Sequence, residues 1–453
     1  MSDFKVGFSK VNMNPPLGIG IRGYYVPRFA KGFLDDLYVR MMAVSCGGKT
    51  VLMASVEVCA IETEISKRYS RAIAEKTGVT EENIFITATH THTGPLIGPT
   101  DIFEANEEQS IKYGEFLKEK LCDAAVLAIA DLKNAKMGYR VVSAPDNIAF
   151  IRRYKMKDGT TMTCPPYDKK NDILSPIGTL DQRVNVLRFD REDACSIVIV
   201  NYGIHADTVN GEMISPDFPG WMAKTIFDAL GAECMFFPGA QGDVGSTNLY
   251  PVDGDMNDTQ ISFDNEMKSP GMARFVGRAL AGAVLQVYDK VKYIDVDSIG
   301  VARKDVFVSA NKADEKDLPL ARKYKKLHDE GRDSEIPFTG MELTTVVAEA
   351  IRMCNMENAP DEFKLTLSGL RIGDVALVGI PGEPFTEIGV KIKQEEGWGL
   401  IMPCALTNGY EKYFPVKSAF DEGGYEARTS AYKGDVADKI ILGSKQLLKD
   451  MRK

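Results

Sequence analysis

The chain has 453 residues, 44 % hydrophobic and 26 % charged, and its 64 acidic and 55 basic side chains leave a formal charge of −9 at pH 7. This composition excludes collagen-like, disordered and low-complexity chains. An acidic chain without a basic run excludes nucleic acid and anionic membrane surfaces as main partners. A chain of this length can bury a large core without disulfide staples.

Short apolar, β-branched runs alternate with longer segments of helical period, which predicts an α/β fold. In chain order the pattern predicts strands over Leu37–Ser45 and Thr50–Val56, a helix over Glu62–Thr77, a strand over Asn83–Ala88 and a helix over Ser110–Leu132. Strands are expected next over Arg183–Phe189 and Ser196–Tyr202, a helix over Trp221–Leu230 and a strand over Cys234–Phe237. Helices over Gly271–Lys290, Leu318–Glu330 and Thr344–Met356 precede strands over Phe363–Ile372 and Val375–Ile380, and a helix over Val436–Met451 ends the chain. Asp217-Phe-Pro-Gly is a good helix start, with a capping side chain and a proline in the first turn. Tyr154–Pro176 and Tyr250–Pro270 read as surface excursions, and the polar block Ala310–Asp361 as an inserted helical subdomain or lid. With no repeat and no Pro/Gly/Ser linker, 1–453 reads as one domain with insertions.

The eight cysteines form no CxxC and read as reduced thiols. The N-terminus lacks a charged region followed by an apolar one, and no run reaches about 18 apolar residues. The expectation is a cytoplasmic protein without a membrane span, secretion requiring a leader trimmed from the sequence.

Only four histidines are present, and three stand where apolar strands run into polar loops. His90 and His92 occupy Thr89-His-Thr-His-Thr-Gly-Pro95 directly after a strand. In extended backbone that i, i+2 spacing puts both rings on one face, where neutral imidazole can bind zinc. An isolated HxH is as often a hydrogen-bonded pair on a polar sheet edge. His205 ends the apolar run Val198–Ile204, while His328 in Lys325-Lys-Leu-His-Asp-Glu330 reads as a solvated helical residue. Glu383 follows the predicted strand Val375–Ile380. Gly239-Ala-Gln-Gly-Asp-Val-Gly-Ser-Thr-Asn248 has no GK[ST], so it reads as a tight turn walling a site, not as a phosphate cradle. No GxSxG elbow occurs. Three histidines and a carboxylate at strand ends suit one zinc with an open position for water, and are too few for a binuclear HxHxDH site.

The ordered set THTHTGP, HADT…ISPDFPG, GAQGDVGS, PGEPFTEIG and NGYEKY…GGYEAR resembles the neutral (alkaline, non-lysosomal) ceramidase family, as do Val6-Gly-Phe-Ser-Lys and Leu180-Asp-Gln-Arg-Val-Asn. The resemblance spans nearly the whole chain. It implies mixed β-sheets flanked by helices, and zinc (Zn2+) held by His90, His205, Glu383 and Tyr413. It implies further that Arg152, with Arg153 a close competitor, contacts substrate, that Tyr425 touches the scissile amide, and that His92 neighbours the metal. The implied reaction is hydrolysis of an N-acyl amide by zinc-bound water, with Glu383 accepting the proton and His92, Arg152 and Tyr425 stabilising the oxyanion. The substrate is then a small-molecule or lipid-like N-acyl compound. An esterase or small-molecule deacylase using the same site, and an inactive metal- or ligand-binding protein, are the alternatives. Gly242-Asp-Val-Gly-Ser-Thr-Asn248 departs from the family's GDVSPN.

Overall fold

Along the paired strands Tyr38–Cys46 and Lys49–Val56 nearly every side chain is buried, because alternate residues enter different cores. Met41 and Ala43 face one cluster and Met42 and Val44 the other. The computed structural model describes residues 3–99, 107–249 and 268–452, and this two-faced burial organises them into four layers.

A nine-stranded mixed sheet runs in the order Glu233–Pro238, Ile197–Tyr202, Arg183–Arg191, Lys133–Ser143, Lys5–Asn12, Tyr38–Cys46, Lys49–Val56, Ile84–Ala88, with Lys292–Ile294 beside Lys133–Ser143. Helices Thr63–Thr77 and Glu107–Ala130 cover one end of its outer face, and Phe218–Leu230 and Pro270–Val287 the other. The inner face packs on a four-stranded sheet, Ile299–Ser309, Glu362–Ile372, Val375–Gly379 and Leu400–Cys404, through Phe189, Ile199, Leu370 and Leu377. Helices Thr386–Ile392 and Val436–Asp450 close the fourth layer.

Within the two large sheets three strand pairs are parallel, and each is joined by a crossover helix. They are Lys49–Val56 with Ile84–Ala88, Ile197–Tyr202 with Glu233–Pro238, and Val375–Gly379 with Leu400–Cys404. Loops leaving the carboxyl ends of such strands are where α/β folds build their sites.

The strands Lys5–Asn12, Lys133–Ser143, Ile299–Ser309 and Leu400–Cys404 were not among those expected. Lys133–Ser143 is mostly polar with only Met137, Gly138 and Tyr139 buried, and Leu400–Cys404 is short and holds Pro403, so neither carries a clear period-2 signal. The helix expected from Trp221 begins at Phe218, whose amide donates to the Asp217 side chain at 2.6 Å. The excursion at 154–176 is a small three-stranded sheet; most of the one at 250–270 lies outside the described residues. The block at 310–361 leaves between strands that pair without interruption from Ile299↔Ile372 to Ser309↔Glu362. Its helices Leu318–Asp329 and Gly340–Asn355 share a small core of Leu327, Val347 and Ile351, on which Tyr25 packs.

Candidate metal centre and its pocket

All three parallel pairs send loops to one place. His90 comes two residues after Ala88, His205 three after Tyr202 and Glu383 four after Gly379, and all three side chains are buried. A short parallel bridge sets Glu383 in register with Tyr413, and the Glu383 amide donates to the Lys412 carbonyl at 2.9 Å.

The two-residue spacing of His90 and His92 does not act through extended backbone as expected. His90 lies at φ +72, a left-handed conformation rare for a residue with a Cβ. Its amide donates to the Val58 carbonyl at 2.9 Å and its Nδ1 to the Cys59 carbonyl at 2.8 Å. The turn brings His90 Nε2 and His92 Nε2 within 3.3 Å. His205 is anchored in the same way, its Nδ1 donating to the carbonyls of Val244 at 2.8 Å and Gln241 at 3.0 Å. The glycine-rich turn thus forms a wall that orients a histidine. Backbone carbonyls on both Nδ1 atoms fix the tautomer that leaves Nε2 free, the usual support of a metal-bound imidazole.

The two Nε2 atoms converge on one carboxylate oxygen. Glu383 Oε2 lies 3.2 Å from His90 Nε2 and 2.9 Å from His205 Nε2. The contact to His205 lacks hydrogen-bond alignment, and His205 Nε2 and Glu383 Oε2 are buried atoms without a hydrogen-bond partner among the described residues. Buried polar atoms rarely go unpaired, whereas three converging N and O donors suit a divalent ion. Ligand atoms of His90, His205 and Glu383 all lie within 4.8 Å of one another, as do those of Cys59, His90 and His92.

Electrostatics divides the histidines. Burial lowers each one's proton affinity, but on His90 the Glu383 carboxylate overrides it and raises the pKa well above the usual value. Burial and the nearby Arg152 hold His205 down at about 4. His92 is also driven well below its ordinary range, by burial and by its two histidine neighbours against the pull of Asp207. Burial opposes ionisation of Glu383, yet His90 and His205 keep it a carboxylate.

A pocket of about 560 Å³ opens over this floor, with His92, Tyr24, Tyr410, Tyr413 and Tyr425 among its walls. Tyr413 stacks on His205 with ring centroids 6.5 Å apart and lies 5.6 Å from the Tyr425 ring. Its hydroxyl accepts from Arg152 Nη2 at 3.0 Å, and burial, then Glu383, pushes its pKa well up. Strand alternation separates the two arginines. Arg152 reaches Tyr413, the Gly242 carbonyl at 2.9 Å and Glu426 at 2.7 Å, while Arg153 turns away to Glu422 and the Gly423 carbonyl. His328 is far from solvated: Nδ1 pairs with Asp333 at 2.9 Å.

Sequence reading missed three further site residues, two of them inside motifs it had singled out for other members. Tyr410 donates to Glu383 Oε1 at 3.1 Å. Asp207 faces His92 Nδ1 at 3.6 Å and is held by Tyr24 and Lys268. Gly23, at φ +129, lies so close to His92 that a Cβ there would meet its ring at 2.8 Å. Asp207 stands two residues after His205 in the HADT motif and Tyr410 stands in NGYEKY, which were the available signals.

These features define a mixed α/β protein with a His/His/Glu cluster at the carboxyl ends of its parallel strands. No protein-family model matches the chain, and no curated protein matches it by sequence. Among solved structures it is similar to the neutral ceramidase from Pseudomonas aeruginosa, with 17 % identity and a TM-score of 0.72 over all of this chain and 75 % of that one. It is likewise similar to a structure described as ceramidase complexed with C2, at 14 % identity and TM-score 0.71, covering all of this chain and 76 % of the other. The chain has the neutral-ceramidase fold.

Proposed function

We propose that the protein is a zinc-dependent hydrolase of N-acyl amides. The observation that carries this reading is the convergence of buried, unpaired His205 Nε2 and Glu383 Oε2 with His90 Nε2 beneath a pocket lined by Tyr413 and Tyr425, with Arg152 bonded to Tyr413 behind it. His90, His205 and Glu383, with Tyr413 adjacent, would hold the zinc, which would serve as a Lewis acid and lower the pKa of water. The chain's own groups do the rest. Arg152, fixed by Glu426 and the Gly242 carbonyl, sets a permanent positive charge beside Tyr413, where an oxyanion develops. Burial and neighbouring tyrosines keep Tyr425 protonated, so it donates to the scissile carbonyl or the leaving amine. His92, neutral and with Asp207 behind it, accepts and returns a proton at Nε2. Glu383, already ionised, is the second acceptor. The neighbours' fold agrees with this chemistry, since both structures are described as ceramidases. The test is release of free amine from a panel of N-acyl compounds by zinc-loaded protein. Turnover is expected and should vanish in Glu383→Gln. Stoichiometric zinc without amine release from any member of the panel sinks the reading.

A further inference from the structure

Besides Arg28, whose guanidinium lies over Tyr24 and donates to the Gly211, Arg22 and His92 carbonyls, four cationic side chains stand in or beside the pocket, and three are matched by acids. Arg22 pairs with Glu62, Lys268 with Asp207, and Arg152 with Glu426. The fourth, Lys412, lines the pocket and makes no ion pair or side-chain hydrogen bond among the described residues. It is not a loose surface lysine in its backbone. Its φ is +62, and its carbonyl receives the Glu383 amide, so the segment that seats the central carboxylate also fixes where this ammonium starts. Among the described residues the rest of the lining is polar or aromatic, with Ile351 and Pro99 its aliphatic members.

We propose that the substrate is a compact N-acyl compound carrying a carboxylate, and that Lys412 receives that charge. This rests on the amide-hydrolase reading and adds the substrate class. One ammonium is a point charge suited to one negative charge, and a single carboxylate is the simplest group that supplies it. A long-chain ceramide carries no anion. It would leave Lys412 without a partner, whereas a carboxylate would supply one.

The experiment compares three substrates on zinc-loaded protein: an N-acetyl amino acid, its carboxamide, and a long-chain ceramide in detergent. The acid should exceed its carboxamide by about tenfold or more in kcat/KM. Lys412→Met should erase that preference through KM, and Lys412→Arg should restore most of it. Calorimetry on the metal-free protein gives a readout independent of turnover, binding of the N-acetyl amino acid weakening about tenfold in Lys412→Met. Equal rates on acid and carboxamide, or preference for ceramide, overturn the proposal and leave amide hydrolysis standing. Lys412-dependent binding without turnover of any substrate supports the anion site and sinks the hydrolase reading. Neither binding nor turnover overturns both.

Discussion

Two clusters of buried titratable groups lie on either side of His92. On one side, Lys268 donates to Asp207 and to the Tyr24 hydroxyl at 3.0 Å, and Tyr24 donates to Asp207. There a carboxylate and an ammonium cancel, and burial is offset by Lys268 so that Asp207 stays well below the usual carboxylate range. On the other side, Glu383 faces two imidazoles whose Nδ1 atoms are tied to backbone carbonyls, and of the atoms that converge His205 Nε2 and Glu383 Oε2 are left unsatisfied among the described residues. A buried carboxylate therefore sits in a nearly closed network in one place, where among the described residues His92 Nδ1 is left without a hydrogen bond, and in an open ligand set in the other. What distinguishes them is which atoms remain unpaired, since a buried charge costs several kcal/mol unless something compensates it.

The comparison breaks most visibly when a ligand is removed. His205→Ala and Glu383→Gln should each abolish stoichiometric zinc in metal analysis, whereas Asp207→Asn should keep the zinc and lower stability, read as a drop in Tm. Loss of zinc in Asp207→Asn with retention in Glu383→Gln would reverse the assignment of the two clusters. Next in size is the contrast between the arginines. Arg152→Met should cost on the order of 10²–10³ in kcat, the scale of one oxyanion donor. Arg153 is buried against Glu422, the Gly423 carbonyl and, at 3.9 Å, the fully buried Glu426, so Arg153→Met should instead cost about 3–5 kcal/mol of stability. Activity per folded molecule should then stay near wild type, as chemical denaturation and kinetics together would report.

The open cluster also predicts a proton count. Because Glu383 holds the His90 pKa well above 6.5, the folded metal-free chain keeps a proton there at pH 7. That proton stabilises the fold fully below the unfolded value near 6.5, and the effect is lost as pH rises through the folded value. His205, held at about 4, is already neutral in that window. Zinc binding at pH 7 should therefore release about one proton, and affinity should climb up to about tenfold per pH unit. Calorimetry in buffers of different ionisation enthalpy checks it, and zero release would place the proton elsewhere.

Strand ends were legible in the sequence because apolar runs stop abruptly before polar residues, and that marked His90, His92, His205 and Glu383 as strand-end candidates, while the narrower ligand set came through resemblance. The tyrosines gained roles only through resemblance, because a phenol in a loop has no periodic or compositional mark. Tyr410 shows the limit: it bonds Glu383 while Tyr413, three residues on, bonds Arg152, and only the Glu383↔Tyr413 pairing separates the two. Strand Lys133–Ser143 was hidden for a different reason. It is mostly polar, so its place in the sheet is set by its partners Arg183–Arg191, Lys5–Asn12 and Lys292–Ile294 and not by its own pattern.

The smallest effect separates crowding at the floor from open space elsewhere. A Cβ on Gly242 would meet the Glu383 carbonyl oxygen at 2.5 Å and the Phe385 ring at 3.1 Å, so Gly242→Ala must push the backbone that carries the central carboxylate. Its cost should be about 1–3 kcal/mol, with weaker zinc binding as the site opens. Gly282 lies within the helix Pro270–Val287, and among the described residues nothing stands within 4 Å of its would-be Cβ. There alanine restores helix propensity, and Gly282→Ala should stabilise by about 0.5–1 kcal/mol without touching zinc. Opposite signs in denaturant titrations, together with a zinc affinity that moves only for Gly242→Ala, would tie backbone crowding to the metal floor. A loss of stability without any change in zinc affinity would mean that the floor tolerates displacement of Glu383, and that its geometry is set by the histidine anchors alone.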